Sequence, residues 1–150
     1  MKRDNQMKVQ VQWLDNVAFR TVGDSNHEII VDGPPESGGE NRGARPMELV
    51  LMGLGGCTSF DIVDILKKSR QSVDDCTTEL NATRSKSIPH VFETIQIHCK
   101  ITGTQLDPKK VARAVSLSAE KYCSASIMLE RGGVKIVHSH EIVEALKENQ

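Results

Sequence analysis

The chain has 150 residues, with 19 Lys and Arg against 20 Asp and Glu. That length fits one domain with a real core, and the balance lacks the basic field that nucleic-acid phosphates require. Aromatic residues are 3% of the total, so the core must come from Val, Ile, Leu, Met and Ala, and bases would find no stacking platform.

The opening Met1–Gln6 has a basic pair with no apolar run behind it, which is not a signal-peptide pattern. Met7–Trp13 alternates strictly, with Met7, Val9, Val11 and Trp13 on one face, and predicts a half-buried strand. Val17–Val22 predicts a second strand, Gly23–Asn26 a turn and Glu28–Val31 a third strand, together an antiparallel meander. Asp32–Gly43 is a polar loop whose glycines and prolines oppose regular structure. Loops of this length in a compact domain tend to be functional or mobile.

Pro46 fits the first position of a helix, where its missing N–H costs nothing. Apolar residues then fall at 49, 52, 60, 63 and 66, and again at 51, 54, 62 and 65. Two stripes on one helix predict burial on most sides. This is the only stretch that could be considered as a membrane span. Asp61, Asp64 and Lys67-Lys68 leave its charge-free part well short of the roughly 20 residues a span needs, so it reads as a core helix with no membrane partner. Gly53, Gly55 and Gly56 cost the helix about 1 kcal/mol each but let another backbone approach. A second reading breaks the helix at Gly55-Gly56 and puts Cys57 at a fresh helix N-terminus.

Cys76–Thr83 and Phe92–Thr102 return to a period of two. In the longer strand Ile95, Ile97, Cys99 and Ile101 share a face, opposite Thr94, Gln96, His98 and Lys100. Cys99 is therefore a core residue and Cys76 a strand residue, with nothing cationic or helical around either to activate it. Asp107-Pro108 starts a helix as N-cap and first residue, with Val111, Ala114, Val115, Ser118, Ala119 and Tyr122 as its inner face. Ser124–Arg131 predicts a further helical segment ended by Gly132-Gly133, Val134–His140 a last strand and Glu141–Glu148 a short terminal helix. This order is α+β, without crossover units for a parallel sheet. His138 and His140 place two imidazoles on one strand face, but no third ligand lies nearby in sequence, so no metal is expected.

The four cysteines, Cys57, Cys76, Cys99 and Cys123, show no CxxC spacing. In a chain read as cytoplasmic, that argues against structural disulfides and a zinc knuckle. Cys57 closes Leu49–Cys57, a stretch with no charged or strongly polar residue, and Cys123 sits at the end of another apolar helical pattern. Two cysteines so placed suggest thiol chemistry. The plainer reading makes Cys57 a small residue filling a tight helix crossing beside Gly56, and Cys123 a helix-end core residue.

Pro46-Met-Glu-Leu-Val-Leu-Met-Gly-Leu-Gly-Gly-Cys57 resembles the first cysteine motif of the OsmC/Ohr superfamily, the osmotically induced and organic-hydroperoxide-resistance proteins, and Tyr122-Cys-Ser-Ala-Ser126 resembles the second. Both motifs, in order, liken the chain to a less characterised OsmC-like branch. The resemblance implies a single OsmC-like domain over 1–150, with antiparallel sheets around a long buried helix. It also implies an intertwined homodimer with active sites at the interface. It makes Cys57 the peroxidatic and Cys123 the resolving cysteine of a thiol peroxidase in the oxidative-stress response. The substrate would be an organic hydroperoxide, the reductant a dithiol or small thiol, and no cofactor is called for.

Three departures stand out. Met47 occupies the position after the proline that usually holds glutamate, and Glu48, one residue later, is turned by about 100° on a helix. The catalytic arginine usually precedes the proline, and Arg20, Arg42 and Arg45 are all candidates. Arg45 is preferred because the glycine-rich loop ends there, and Glu48 would orient its guanidinium; the alternative is a solvated first-turn pair. Ser124 replaces the usual proline after Cys123. A non-catalytic relative that binds an apolar small molecule at the dimer interface is the competing function.

Overall fold

A computed structural model describes residues 5–147. Met1–Asp4 and the end of the anticipated terminal helix, at Glu148, lie outside the described residues. The chain forms two compact units, residues 1–50 and 51–150. One helix, α1 (Pro46–Lys68), begins in the first and runs through the second.

In the first unit, β1 (Val9–Asp15), β2 (Ala18–Gly23) and β3 (Glu28–Val31) form an antiparallel sheet in that order. Asn16 and Asn26 take the connecting turns at φ of 44° and 60°, a backbone that short polar side chains tolerate better than most. The meander is as anticipated, but β1 is not half-buried. Val9, Val11 and Trp13 are 59%, 60% and 65% exposed. Alternation marks which residues share a face; burial needs a second layer on it.

The glycine-rich loop after β3 is organised by one residue. Asp32 is buried, and its carboxylate accepts the backbone N–H groups of Gly33 (2.8 Å), Glu40 (3.0 Å) and Arg42 (3.1 Å). The loop folds back around that carboxylate, with a short 3-10 turn at Pro35–Ser37. Gly43 is required where it lies, because a Cβ there would fall on the Ile30 carbonyl. The Arg42 guanidinium pairs with Asp15 and approaches Asp32 and Glu40 at 3.8 and 3.7 Å.

In the second unit α1 continues unbroken through Gly55-Gly56. By length and composition it could cross a membrane, but it buries Leu54, Gly55, Thr58, Ile62 and Leu66 as a core helix does. It lies across β4 (Ser72–Arg84). A Cβ on Gly55 would meet Leu80 Cδ1 at 2.7 Å, and the Ser59 and Thr78 hydroxyls are 2.6 Å apart. The absent side chain at Gly55 is what lets helix and strand approach. Within one chain burial is confined to that face, and Met52 and Phe60 are 55% and 72% exposed.

β4 pairs antiparallel with β5 (Phe92–Thr104), and β5 pairs in parallel with β6 (Lys135–Glu144), which puts β5 at the centre. Ile95, Ile97, Cys99 and Ile101 of β5 are all buried, the anticipated face. The parallel pair overturns the expectation of no crossover. The segment from α2 (Pro108–Leu117) to α3 (Ser124–Arg131) is itself the crossover between β5 and β6. The terminal helix is also overturned in its first part, since β6 runs on to Glu144 opposite Gly103. Ladder pairing beside a central strand outweighs the modest helix propensity of Glu141–Glu144.

The Asp32 arrangement predicts a specific pH dependence. The N–H of Arg42 is the main cause that holds the Asp32 carboxyl below its ordinary value, against the opposing effect of burial. A folded-state pKa below the unfolded one gives stability that is present above about pH 4 and lost as pH falls through the folded value. Asp32→Asn should lower the urea midpoint at pH 7. The gap to wild type should narrow as the pH drops below 4. A gap that is constant with pH would show that the carboxylate charge does not hold the loop.

Candidate active site

Cys57, Thr58 and Asp61 of α1 face the segment that joins α2 to α3. That segment is a π-helical turn, Ser118–Tyr122, in which the Cys123 N–H reaches back to the Ser118 carbonyl at 2.8 Å. Such wide turns recur at functional sites. Here the extra residue changes which side chains point inward. Tyr122, anticipated on the inner face, is 49% exposed, while Ser118 and Cys123 are fully buried.

Cys123 is the N-cap of α3, and its sulfur accepts the Ser126 N–H at 3.4 Å. The Thr58 hydroxyl of α1 lies 3.4 Å from the same sulfur. On α1, Cys57 and Asp61 are one turn apart and so share a face. The Cys57 sulfur, an Asp61 carboxylate oxygen and the Cys123 sulfur all lie within 4.8 Å of one another. The Ser118 hydroxyl donates to Asp61 Oδ2 at 3.3 Å.

Burial pushes the Cys123 thiol up, the nearby Cys57 adds to that, and the Thr58 hydroxyl and Ser126 N–H partly offset it. Burial also raises the Asp61 carboxyl, opposed by the bond from Ser118 and assisted by Asp64. Both effects have one physical origin, the cost of charge away from water. Cys57 is partly exposed, so of the two sulfurs it is the one solutes can reach.

Other anticipated residues lie elsewhere. Cys99 is buried and Cys76 half-buried, and burial raises both thiols. The Glu48 carboxylate accepts the backbone N–H of Arg45 at 3.0 Å, which is the return half of a capping box at the start of α1. The Arg45 guanidinium donates to the Gly43 carbonyl at 3.0 Å, so the two side chains are not the charge-assisted pair the sequence suggested. Arg20 is paired with Glu28 at 2.7 Å and Arg42 with Asp15. Among the described residues Arg45 is the one of these three without a carboxylate partner.

Two sulfurs and a carboxylate are donors that zinc accepts, and these are the residues that could hold an ion. His138 and His140 are outside this group. His138 lies 3.3 Å from the Ser126 hydroxyl, and burial lowers its pKa. The sequence reading overlooked Asp61, Thr58, Ser118 and Ser126. Only Asp61 left a signal, its four-residue offset from Cys57. Two grooves flank the site. One of about 430 Å³ is lined by Asp61, Asp64, Ile65, Lys68, Arg113 and Tyr122 among others. A larger one, about 670 Å³, between α2, α3 and β6, includes His138 and touches neither sulfur.

The family model of OsmC-like proteins matches residues 38–139, a range that holds both cysteines. The chain belongs to the OsmC family. This OsmC-like protein is 45% identical to protein YhfA of Escherichia coli K12 over 139 residues, 93% of this chain and all of YhfA. It is similar to a hypothetical protein of Aquifex aeolicus, at 30% identity and TM-score 0.82, covering 95% of this chain and 99% of that one. At 20% identity and TM-score 0.70 it shares the fold of OsmC from Legionella pneumophila, an organic hydroperoxide resistance protein, over 93% of this chain and 99% of the other.

The difference in burial predicts an order of reaction. In the native, reduced protein iodoacetamide should alkylate Cys57 well before Cys123, and in urea the two should react at similar rates. Peptide mapping over time measures both. Equal native rates would show that Cys123 is not shielded.

Proposed function

We propose that this OsmC-like protein is a thiol peroxidase for organic hydroperoxides, acting in the cytoplasm, with Cys57 as peroxidatic and Cys123 as resolving cysteine. The observation that carries this reading is the approach of two sulfurs far apart in sequence to within 4.8 Å, one reachable and one buried. A disulfide needs only a further closing of that gap to about 2.05 Å. Family membership and the hydroperoxide-resistance relatives of the same fold support it.

The chemistry balances in two steps. The Cys57 thiolate attacks the terminal peroxide oxygen; the O–O bond breaks, the alkoxide takes a proton and leaves as an alcohol, and Cys57 becomes a sulfenic acid. Cys123 then displaces hydroxide from that sulfur, giving a Cys57–Cys123 disulfide and water. A dithiol or small-thiol reductant restores both thiols by exchange. Arg45 is proposed to stabilise the Cys57 thiolate of a second copy, because twelve residues of continuous helix hold it about 18 Å from Cys57 of its own chain. Its freedom from carboxylates supports it over Arg20 and Arg42.

A homodimer is part of the proposal. The exposed apolar residues Val9, Val11 and Trp13 of β1, and Met52 and Phe60 of α1, are surfaces that a second copy would cover. Gly53 and Gly56 face open space, while Gly55 is already committed to Leu80. The competing reading, an apolar binder without catalysis, draws support from Glu48, whose carboxylate caps α1 instead of holding a guanidinium.

Mass spectrometry after one equivalent of cumene hydroperoxide separates the two. The peroxidase should show a Cys57–Cys123 disulfide; the binder would keep four free thiols. Cys57→Ser should abolish peroxide consumption, whereas Cys123→Ser should permit one oxidation that stops at the sulfenic acid and is trapped by dimedone. Light scattering at micromolar concentration should give the dimer mass, and a monomer mass would refute that part.

A further inference from the structure

One proton in the proposed cycle needs a carrier. Cys123 must lose it to attack the Cys57 sulfenic acid, yet its sulfur is fully buried. Neutral thiols are poor nucleophiles. The Thr58 hydroxyl and the Ser126 N–H, both 3.4 Å away, can stabilise a thiolate once formed, but an N–H or a hydroxyl cannot take the proton at neutral pH. We propose that Asp61 is a further catalytic residue, the base that accepts the Cys123 proton during disulfide closure. This inference rests on the thiol-peroxidase reading.

Four observations support it. The Asp61 carboxylate is within 4.8 Å of both reacting sulfurs, a separation that one bridging water or a small side-chain rotation spans. The residue that positions it, Ser118, belongs to the π-helical turn that ends at Cys123, so carboxylate and thiol are held by the same backbone. The charge is not consumed elsewhere: among the described residues no cation lies within ion-pair distance of Asp61, whereas the neighbouring Asp64 is bound by Lys68 at 2.6 Å. Asp61 also lines the groove of about 430 Å³ beside the site, which gives the proton a way to solvent.

The step balances. As the Cys123 S–H bond breaks, its proton passes to Asp61 and its electron pair forms the bond to the Cys57 sulfur. The S–O bond of the sulfenic acid breaks, and the departing hydroxide takes the proton from Asp61 as water. Cys123 is oxidised, the Cys57 sulfenic sulfur is reduced, and Asp61 ends as the carboxylate it began.

The test isolates closure from peroxide chemistry. Cys57 is first capped as its mixed disulfide with 5-thio-2-nitrobenzoate, and release of the coloured thiolate as Cys123 closes on it is followed by stopped flow. Asp61→Asn keeps the shape and an oxygen for Ser118 but removes the base. It should slow closure at least tenfold at pH 7, and the deficit should shrink toward pH 10 as hydroxide deprotonates Cys123 directly. The other groups that face Asp61 are Cys57, Asp64 and Lys68 on α1, Arg113 on α2 and Tyr122 on the π-helical turn. All are common to both proteins, so the difference between their profiles reports Asp61. Asp61→Glu, which restores a carboxylate, should recover part of the rate and guards against a folding defect in the amide variant. Coincident closure rates for wild type and Asp61→Asn would overturn the proposal. So would a deficit independent of pH, which marks a merely positional role. Wild-type protein that ignores cumene hydroperoxide yet shows the Asp61-dependent closure would refute the peroxidase reading and leave this one standing.

Discussion

The site depends on one packing contact, that between Thr58–Asp61 of α1 and the π-helical turn before Cys123. Two polar links cross it, Thr58 to the Cys123 sulfur at 3.4 Å and Ser118 to Asp61 at 3.3 Å. All four groups are buried or partly so, and a hydrogen bond there contributes about 1 kcal/mol net, while an unmet buried group costs about 1–3 kcal/mol. The contact is therefore better described as a constraint than as glue. Any shift that separates the two turns leaves two polar groups unpaired and moves the sulfurs apart at the same time.

That constraint explains the asymmetry of the two cysteines. Cys57 lies on the exposed border of α1's inner face, and Cys123 lies behind it at the mouth of α3. The same low dielectric that raises the Cys123 thiol raises the Asp61 carboxyl.

In the first unit a different device does comparable work. Asp32 gathers three backbone N–H groups and turns a glycine-rich loop into a defined path. The path delivers Arg45 to the N-cap of α1 with its guanidinium on the Gly43 carbonyl, and Glu48 closes the cap from within the helix. The result is a helix start built from charged side chains used for backbone bonding. A carboxylate near a helix N-terminus is favourable there for electrostatic reasons as well.

Much of this protein was legible in its sequence because the signals are local. Pro46 and Asp107-Pro108 mark helix starts, and the alternation of Ile95, Ile97, Cys99 and Ile101 marks a buried strand face. The residues of the two cysteine motifs, in order, marked the resemblance to the family. Where neighbours in space decide the outcome, the sequence was silent or misleading. Glu141–Glu144 has a helical composition but pairs with β5, and β6 runs parallel only because the crossover helices return it to the same end of the sheet. Tyr122 has a core residue's spacing but is turned out by one extra residue in a π-helical turn. β1 alternates correctly, yet among the described residues its apolar row, Val9, Val11 and Trp13, stays exposed. Asp61 is the sharpest case. Its spacing from Cys57 was visible, but an acidic residue late in an apolar helix looks the same whether it meets solvent or a sulfur. Only the fold, by setting Ser118 and Cys123 against that turn, makes it part of the site.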